Sequence, residues 1–119
     1  MKHIVFVDDD RVLTKLLSTY LESYDLKISS FNCGHKALSF IEVDKKPDLI
    51  ISDMNMPQMS GHEFLQKLDK DTSTKSIPVL VFSGSEDTET KATFPQIKAF
   101  VKKPCPPEKL LQIIEQHIA

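Results

Sequence analysis

Five short runs of apolar residues, most of them β-branched or aromatic, punctuate the chain, and stretches with helical periodicity separate them. The runs are Ile4-Val5-Phe6-Val7, Leu26-Lys27-Ile28-Ser29-Ser30-Phe31, Leu49-Ile50-Ile51, Val79-Leu80-Val81-Phe82 and Ala99-Phe100-Val101. Most are too short for a helix, so they read as strands. Strands that alternate with helices form a parallel sheet, because each right-handed crossover returns the chain to the same end. The first, third and fourth runs lack polar alternation, as strands buried on both faces do, which predicts that these three take the sheet centre. The second run mixes in Lys27, Ser29 and Ser30 and suits an edge. The expected class is α/β: a doubly wound, five-stranded parallel sheet with helices on both faces.

The intervening segments support that reading. Val12, Leu13, Leu16, Leu17, Tyr20, Leu21 and Tyr24 draw an apolar stripe along a first helix of about four turns. Ala37, Leu38 and Ile41 mark a second helix after Asn32, and Ser60-Gly61-His62-Glu63 reads as a capping box leading into Phe64, Leu65 and Leu68. The last helix starts near Pro107-Glu108, with proline in a favoured first-turn position, and carries Leu110, Leu111, Ile113, Ile114 and Ile118. Residues 85–95 are rich in Thr, poor in apolar periodicity and ended by Pro95, so any helix there is short.

The length of 119 residues holds one domain, 1–119, and 40% hydrophobic against 27% charged residues suits a folded, soluble one. The formal net charge is −2 and the basic residues are scattered, which argues against nucleic acid and membrane surfaces as partners. No apolar run approaches the roughly 20 residues that span a bilayer, and no secretory signal follows Met1, so the expected location is the cytoplasm. Cys33 and Cys105 form no metal-binding or redox pairing and read as free thiols, with Cys105 a spacer rather than a redox sensor.

In a sheet of this kind ligands bind outside the carboxyl ends of the strands. Strand one ends in Asp8-Asp9-Asp10, strand three in Asp53, strand four in Ser83-Gly84 and strand five in Lys102-Lys103-Pro104. Carboxylates, a hydroxyl and an ammonium thus converge on one rim from distant parts of the chain. Packed carboxylates repel one another unless a cation neutralises them, and an all-oxygen set prefers a hard ion such as Mg²⁺. A carboxylate beside Mg²⁺, a lysine and a hydroxyl can either receive a phosphoryl group or hold a phosphate ligand.

These residues resemble the receiver domain of two-component response regulators over essentially the full length, as a stand-alone, single-domain type. The likeness rests on Asp8-Asp9 closing strand one, on Asp53-Met54-Asn55-Met56-Pro57-Gln58-Met59-Ser60-Gly61 matching D-x-x-M-P-x-M-x-G, on Ser83, and on Lys103-Pro104. The resemblance implies a flavodoxin-like sheet of strand order 2-1-3-4-5 and a switch in which Asp53 takes a phosphoryl group from a sensor histidine kinase or histidine phosphotransfer protein. It further implies that Asp9, Asp53 and the Asn55 carbonyl ligate Mg²⁺, with Asp8 acting through water, and that Lys103 and the Ser83 hydroxyl hold phosphoryl oxygens. The Lys103–Pro104 peptide would be cis. Phe100 would rotate with Ser83 and alter a docking surface formed by the fourth helical segment, strand five and the last helix, read by a protein target in trans.

The chain departs from that pattern where Phe94-Pro95-Gln96-Ile97-Lys98 replaces the usual Gly-Ala turn, and where Cys105-Pro106-Pro107 replaces a bulky apolar residue and stiffens the start of the last helix. Beside these functional readings stand plainer ones. Asp10 reads as the N-cap of the first helix rather than a metal ligand, Arg11 and Lys102 as solvated, and His35, His62 and His117 as surface residues. Met56 reads as packing, and Met54 is open between packing and partner contact. Two other functions compete with the switch. A pseudo-receiver would keep the fold as a constitutive interaction domain. A Mg²⁺ phosphatase would need an acid carboxylate two positions after the nucleophile, where Asn55 stands, so no enzyme activity is expected beyond self-phosphorylation and slow self-dephosphorylation.

Overall fold

In the computed structural model, which describes residues 1–43, 46–54, 56, 58–83 and 94–118, the chain runs β1 (Lys2–Val7), α1 (Arg11–Glu22), β2 (Leu26–Phe31), α2 (Gly34–Val43), β3 (Leu49–Asp53), α3 (Gly61–Lys70), β4 (Val79–Ser83), β5 (Ile97–Lys102) and α4 (Pro107–Ile118). The five strands form one parallel sheet in the order β2-β1-β3-β4-β5. The three unalternated runs are the central strands, and the mixed second run is an edge. Residues 85–93, read as a weak helical segment, lie outside the described residues.

Because successive strand residues point to opposite faces, each central strand feeds two cores. Val5, Val7, Ile50, Val79 and Val81 pack under α2 and α3 with Ala37, Ile41, Phe64, Leu65 and Leu68. Ile4, Phe6, Leu49, Ile51, Leu80 and Phe82 pack under α1 and α4 with Leu17, Leu21, Leu110, Leu111 and Ile114. All these strand residues are essentially inaccessible to water. The helix ends follow local chemistry. The Asp10 carboxylate accepts from the Leu13 N–H at 3.0 Å, which makes it the α1 N-cap. The Ser60 hydroxyl accepts from the Glu63 N–H at 3.2 Å while Glu63 reaches back to the Ser60 N–H, closing the capping box of α3.

The apolar stripe of α1 is narrower than its seven apolar residues suggest. Leu17 and Leu21 are buried with Thr14 and Ser18, whereas Val12 is 80% exposed and Leu16 62% exposed, and Tyr24 lies beyond the helix end. Val12, Leu16 and Tyr20 form a row one residue out of phase with Leu13, Leu17 and Leu21. At about 100° per residue, that row turns away from the sheet.

The segment before β5 contributes more than a turn. Phe94 is buried among the residues under α2 and α3 and meets the His62 ring edge-on at 5.2 Å. Gln96 is buried as well. Its Nε2 donates to the carbonyls of Thr74 and Ile77 at 3.3 and 2.9 Å, and its own carbonyl accepts from the Val79 N–H at 2.9 Å. The residues that depart from the Gly-Ala pattern therefore pin the start of β4 to the start of β5, where the register also shifts between Val79 and Leu80.

Candidate functional site

Parallel pairing aligns the strand ends at one edge. Asp53 stands opposite Phe82 and Ser83 opposite Lys102, while Val7 pairs with Ser52, so Asp8, Asp53, Ser83 and Lys103 all leave the sheet on the same side. The site forms around β1 and β3, where the chain turns first to one side of the sheet and then to the other.

Asp8 and Asp53 are 1% and 5% exposed. Lys103 Nζ lies 2.9 Å from Asp8 Oδ2 and 3.5 Å from Asp53 Oδ2, and 5.2 Å above the centroid of the Phe82 ring. Burial alone would pull the lysine down, but the hydrogen bond and charge of Asp8, followed by those of Asp53, outweigh it and hold its pKa above the ordinary value. The ammonium is thus the fixed countercharge of the two buried carboxylates. Carboxylate oxygens of Asp8, Asp9 and Asp53 all come within 4.8 Å of one another. Among the described residues, no donor besides that ammonium satisfies Asp8 Oδ2. Three carboxylates with one ammonium leave a surplus of negative charge and a buried oxygen short of partners, which suits a hard divalent cation.

The family model of the response regulator receiver domain matches residues 4–115. The chain belongs to the response regulator receiver domains. The two-component response regulator ORR5 of rice, Oryza sativa subsp. japonica, is 33% identical over 89 residues, covering 75% of this chain and 66% of that protein. The probable transcriptional regulator ycf29 of Pyropia yezoensis is 33% identical over 118 residues, covering 98% of this chain and 53% of that protein. The chain therefore spans less than two thirds of the length of these relatives. Among solved structures, the chemotaxis protein CheY4 of Vibrio cholerae superposes with a TM-score of 0.90 at 25% identity, covering 98% of both chains.

Within this receiver domain, the sequence-derived residues Asp8, Asp9, Asp53 and Lys103 come together, and the Lys103–Pro104 peptide is cis. Ser83 ends β4, and its side chain, like the whole of Asn55, lies outside what is described. Phe100 is half-buried on β5, packed against the core under α2 and α3. Asp10 caps α1 and sends its own N–H to Asp8 Oδ1 at 2.9 Å, so it also orients a site carboxylate. Lys102 is exposed, Met59 belongs to the core, and Met54 and Met56 are half-buried against it. The Cys105 thiol is pushed up by burial, with Lys109 opposing, which disfavours the reactive thiolate.

Two contributors escaped the sequence reading. Phe82 reads in sequence as strand core, yet its ring faces the Lys103 ammonium; no local pattern announces a contact made across two strands. Gly61 reads in sequence as part of the capping box and of the motif, yet its N–H donates to the Met54 carbonyl at 2.9 Å, and a Cβ there would lie 2.5 Å from the Asp53 carbonyl oxygen. The start of α3 thus rests directly on the backbone that carries Asp53. A glycine eight positions after a strand-end aspartate is the signal that could have shown this.

Proposed function

We propose that this receiver domain is a phosphorylation-dependent signalling switch with Asp53 as phosphoacceptor. One Asp53 oxygen attacks the phosphorus of a phosphohistidine on a sensor kinase or phosphotransfer protein; the O–P bond forms, the P–N bond breaks, and the imidazole leaves with a proton. The observation that carries this reading is the buried Asp53 carboxylate facing the Lys103 ammonium at 3.5 Å. Lys103 stays beside the aspartyl phosphate as countercharge for its equatorial oxygens, the part of phosphoryl transfer that most needs stabilising. Asp8, Asp9, Asp53 and the Asn55 carbonyl are the groups that would hold Mg²⁺, which when bound supplies positive charge to the transferring phosphoryl group.

The added phosphoryl group brings roughly −1.5 to −2 charges and strong acceptors beside β3. The Ser83 hydroxyl donates to it, Phe100 follows, and the surface around β5 and α4 changes for a protein partner in trans. The chain acts on no external substrate and works in the cytoplasm. Among the described residues, no helix is long and apolar enough to cross a membrane.

The test is incubation with phosphoramidate or acetyl phosphate and Mg²⁺, read by intact mass and hydroxylamine lability. Wild type gains one phosphoryl group, and EDTA or Asp53→Asn abolishes the gain. Labelling that persists in Asp53→Asn overturns the assignment.

A further inference from the structure

Lys103 reaches its carboxylates from the far side of the sheet. It follows β5, whereas Asp53 ends β3 and Asp8 follows β1, so in the order β1-β3-β4-β5 its side chain crosses β4 to meet them. At this level β4 contributes Phe82, which the register sets between Asp53 on one side and Val101 on the other. The Lys103 ammonium lies over the Phe82 ring, 5.2 Å from its centroid. That is within the roughly 6 Å over which an aromatic face attracts a cation.

The ring is the rigid member of this pair. Phe82 is 1% exposed, packed among the residues under α1 and α4, with the Phe6 ring 6.1 Å away. Lys103 has the freedom: a four-carbon stem whose side chain is 28% exposed. A hollow of about 360 Å³, lined by Leu13, Phe82, Pro104, Cys105 and Lys103 itself, gives that stem a second place to lie. Asp8 draws it the other way, since Nζ sits 2.9 Å from Asp8 and 3.5 Å from Asp53. Against both alternatives, the attraction of Phe82 acts from beside Asp53.

We propose that Phe82 is a positioning residue for phosphoryl transfer, its ring face holding the Lys103 ammonium beside Asp53, where the phosphoryl oxygens gather charge. The role rests on the switch reading above. An ammonium fixed before the reaction stabilises the transferring group without reorganising during it. The ring is also neutral. A further carboxylate in its place would hold the lysine more strongly, but it would repel the incoming phosphoryl group; an aromatic face anchors the cation and adds no net negative charge.

The test replaces Phe82 in the 119-residue protein by phenylalanines carrying one, two or three ring fluorines, which drain the face of its negative potential and keep its shape. Cyclohexylalanine at the same position, and Phe82→Leu, remove the face altogether. Phosphorylation by acetyl phosphate with Mg²⁺ is timed by intact mass, urea unfolding is measured alongside, and isotope-labelled lysine reports Lys103 by NMR. In wild type the ring current is expected to move the Lys103 ε-methylene protons upfield of the other lysines. The phosphorylation rate should fall stepwise with fluorine number, by about threefold to tenfold for three fluorines and for cyclohexylalanine. Three outcomes overturn the role and leave the switch intact: rates independent of fluorine number, rates that track the urea midpoint instead, or Lys103 methylene signals at the ordinary lysine position. A wild type that takes no phosphoryl group overturns the switch reading, and this role with it.

Discussion

A methyl group on Gly61 would stand 2.5 Å from the Asp53 carbonyl oxygen and 2.5 Å from Met54 Cα, both backbone atoms that cannot swing aside. The demand at this position is steric: α3 begins so close to the end of β3 that only a hydrogen fits. Gly61→Ala is expected to destabilise the domain by about 1–3 kcal/mol, the usual cost of overpacking, measured by urea unfolding. It should also slow phosphorylation by displacing Asp53. Unchanged stability would show that the two backbones separate freely. Gly34 differs, because its nearest neighbour is the Met59 sulfur at 2.7 Å, the flexible part of a side chain. The same logic separates Asp10 from its neighbours. Three consecutive aspartates look alike in sequence, yet Asp8 pairs with Lys103, Asp10 caps α1 and steadies Asp8 through its N–H, and Asp9 remains exposed within the carboxylate cluster.

Helix α1 carries two apolar rows, and the structure gives them opposite fates. Leu17 is 1% exposed against 62% for Leu16. Leu17→Ala should therefore cost about 2–5 kcal/mol, and Leu16→Ala should stay within about 0.5 kcal/mol. Chemical denaturation of the two variants side by side checks the assignment, and equal costs would mean that the helix is rotated. Between β4 and β5 the corresponding element is Gln96, whose side chain ties the carbonyls of Thr74 and Ile77 to the start of β5. Gln96→Leu keeps the bulk but leaves the Ile77 carbonyl unpaired in a dry site, while the Thr74 carbonyl keeps the Ile77 N–H at 3.1 Å, at an expected cost of about 1–3 kcal/mol. Hydrogen exchange should then show earlier loss of protection at Val79 than in β1 or β3. In sequence, Gln96 looks like a turn residue, because its partners lie some twenty positions back and no local period marks them.

Stability of the molecule as a whole should record the Lys103 pairing at alkaline pH. Its folded-state pKa lies above the ordinary lysine value, so its contribution is complete below about 10.4, the reference for a free lysine, and is lost as pH rises through the folded value. Tyr20, pushed up to about 12 chiefly by its hydrogen bond with Tyr24, titrates in the same window and in the same direction. Comparison with Lys103→Met isolates the lysine. The stability gap between wild type and variant should be constant from neutral pH to about 10 and narrow above it. A gap that does not depend on pH would mean that packing on Phe82, not charge, is what Lys103 contributes.

Much of this molecule is written in one dimension. Strand number, central strands against edge, the capping box at Ser60 and the strand-end positions of Asp8, Asp53, Ser83 and Lys103 follow from period, run length and residue type, because these report local backbone geometry and two-sided burial. Which row of α1 faces the sheet, that Phe94 and Gln96 are core residues, and that the Phe82 ring faces the Lys103 ammonium were settled only by packing. Each depends on atoms brought together from distant parts of the chain, and the energy of such contacts leaves no trace in the pattern of neighbouring residues.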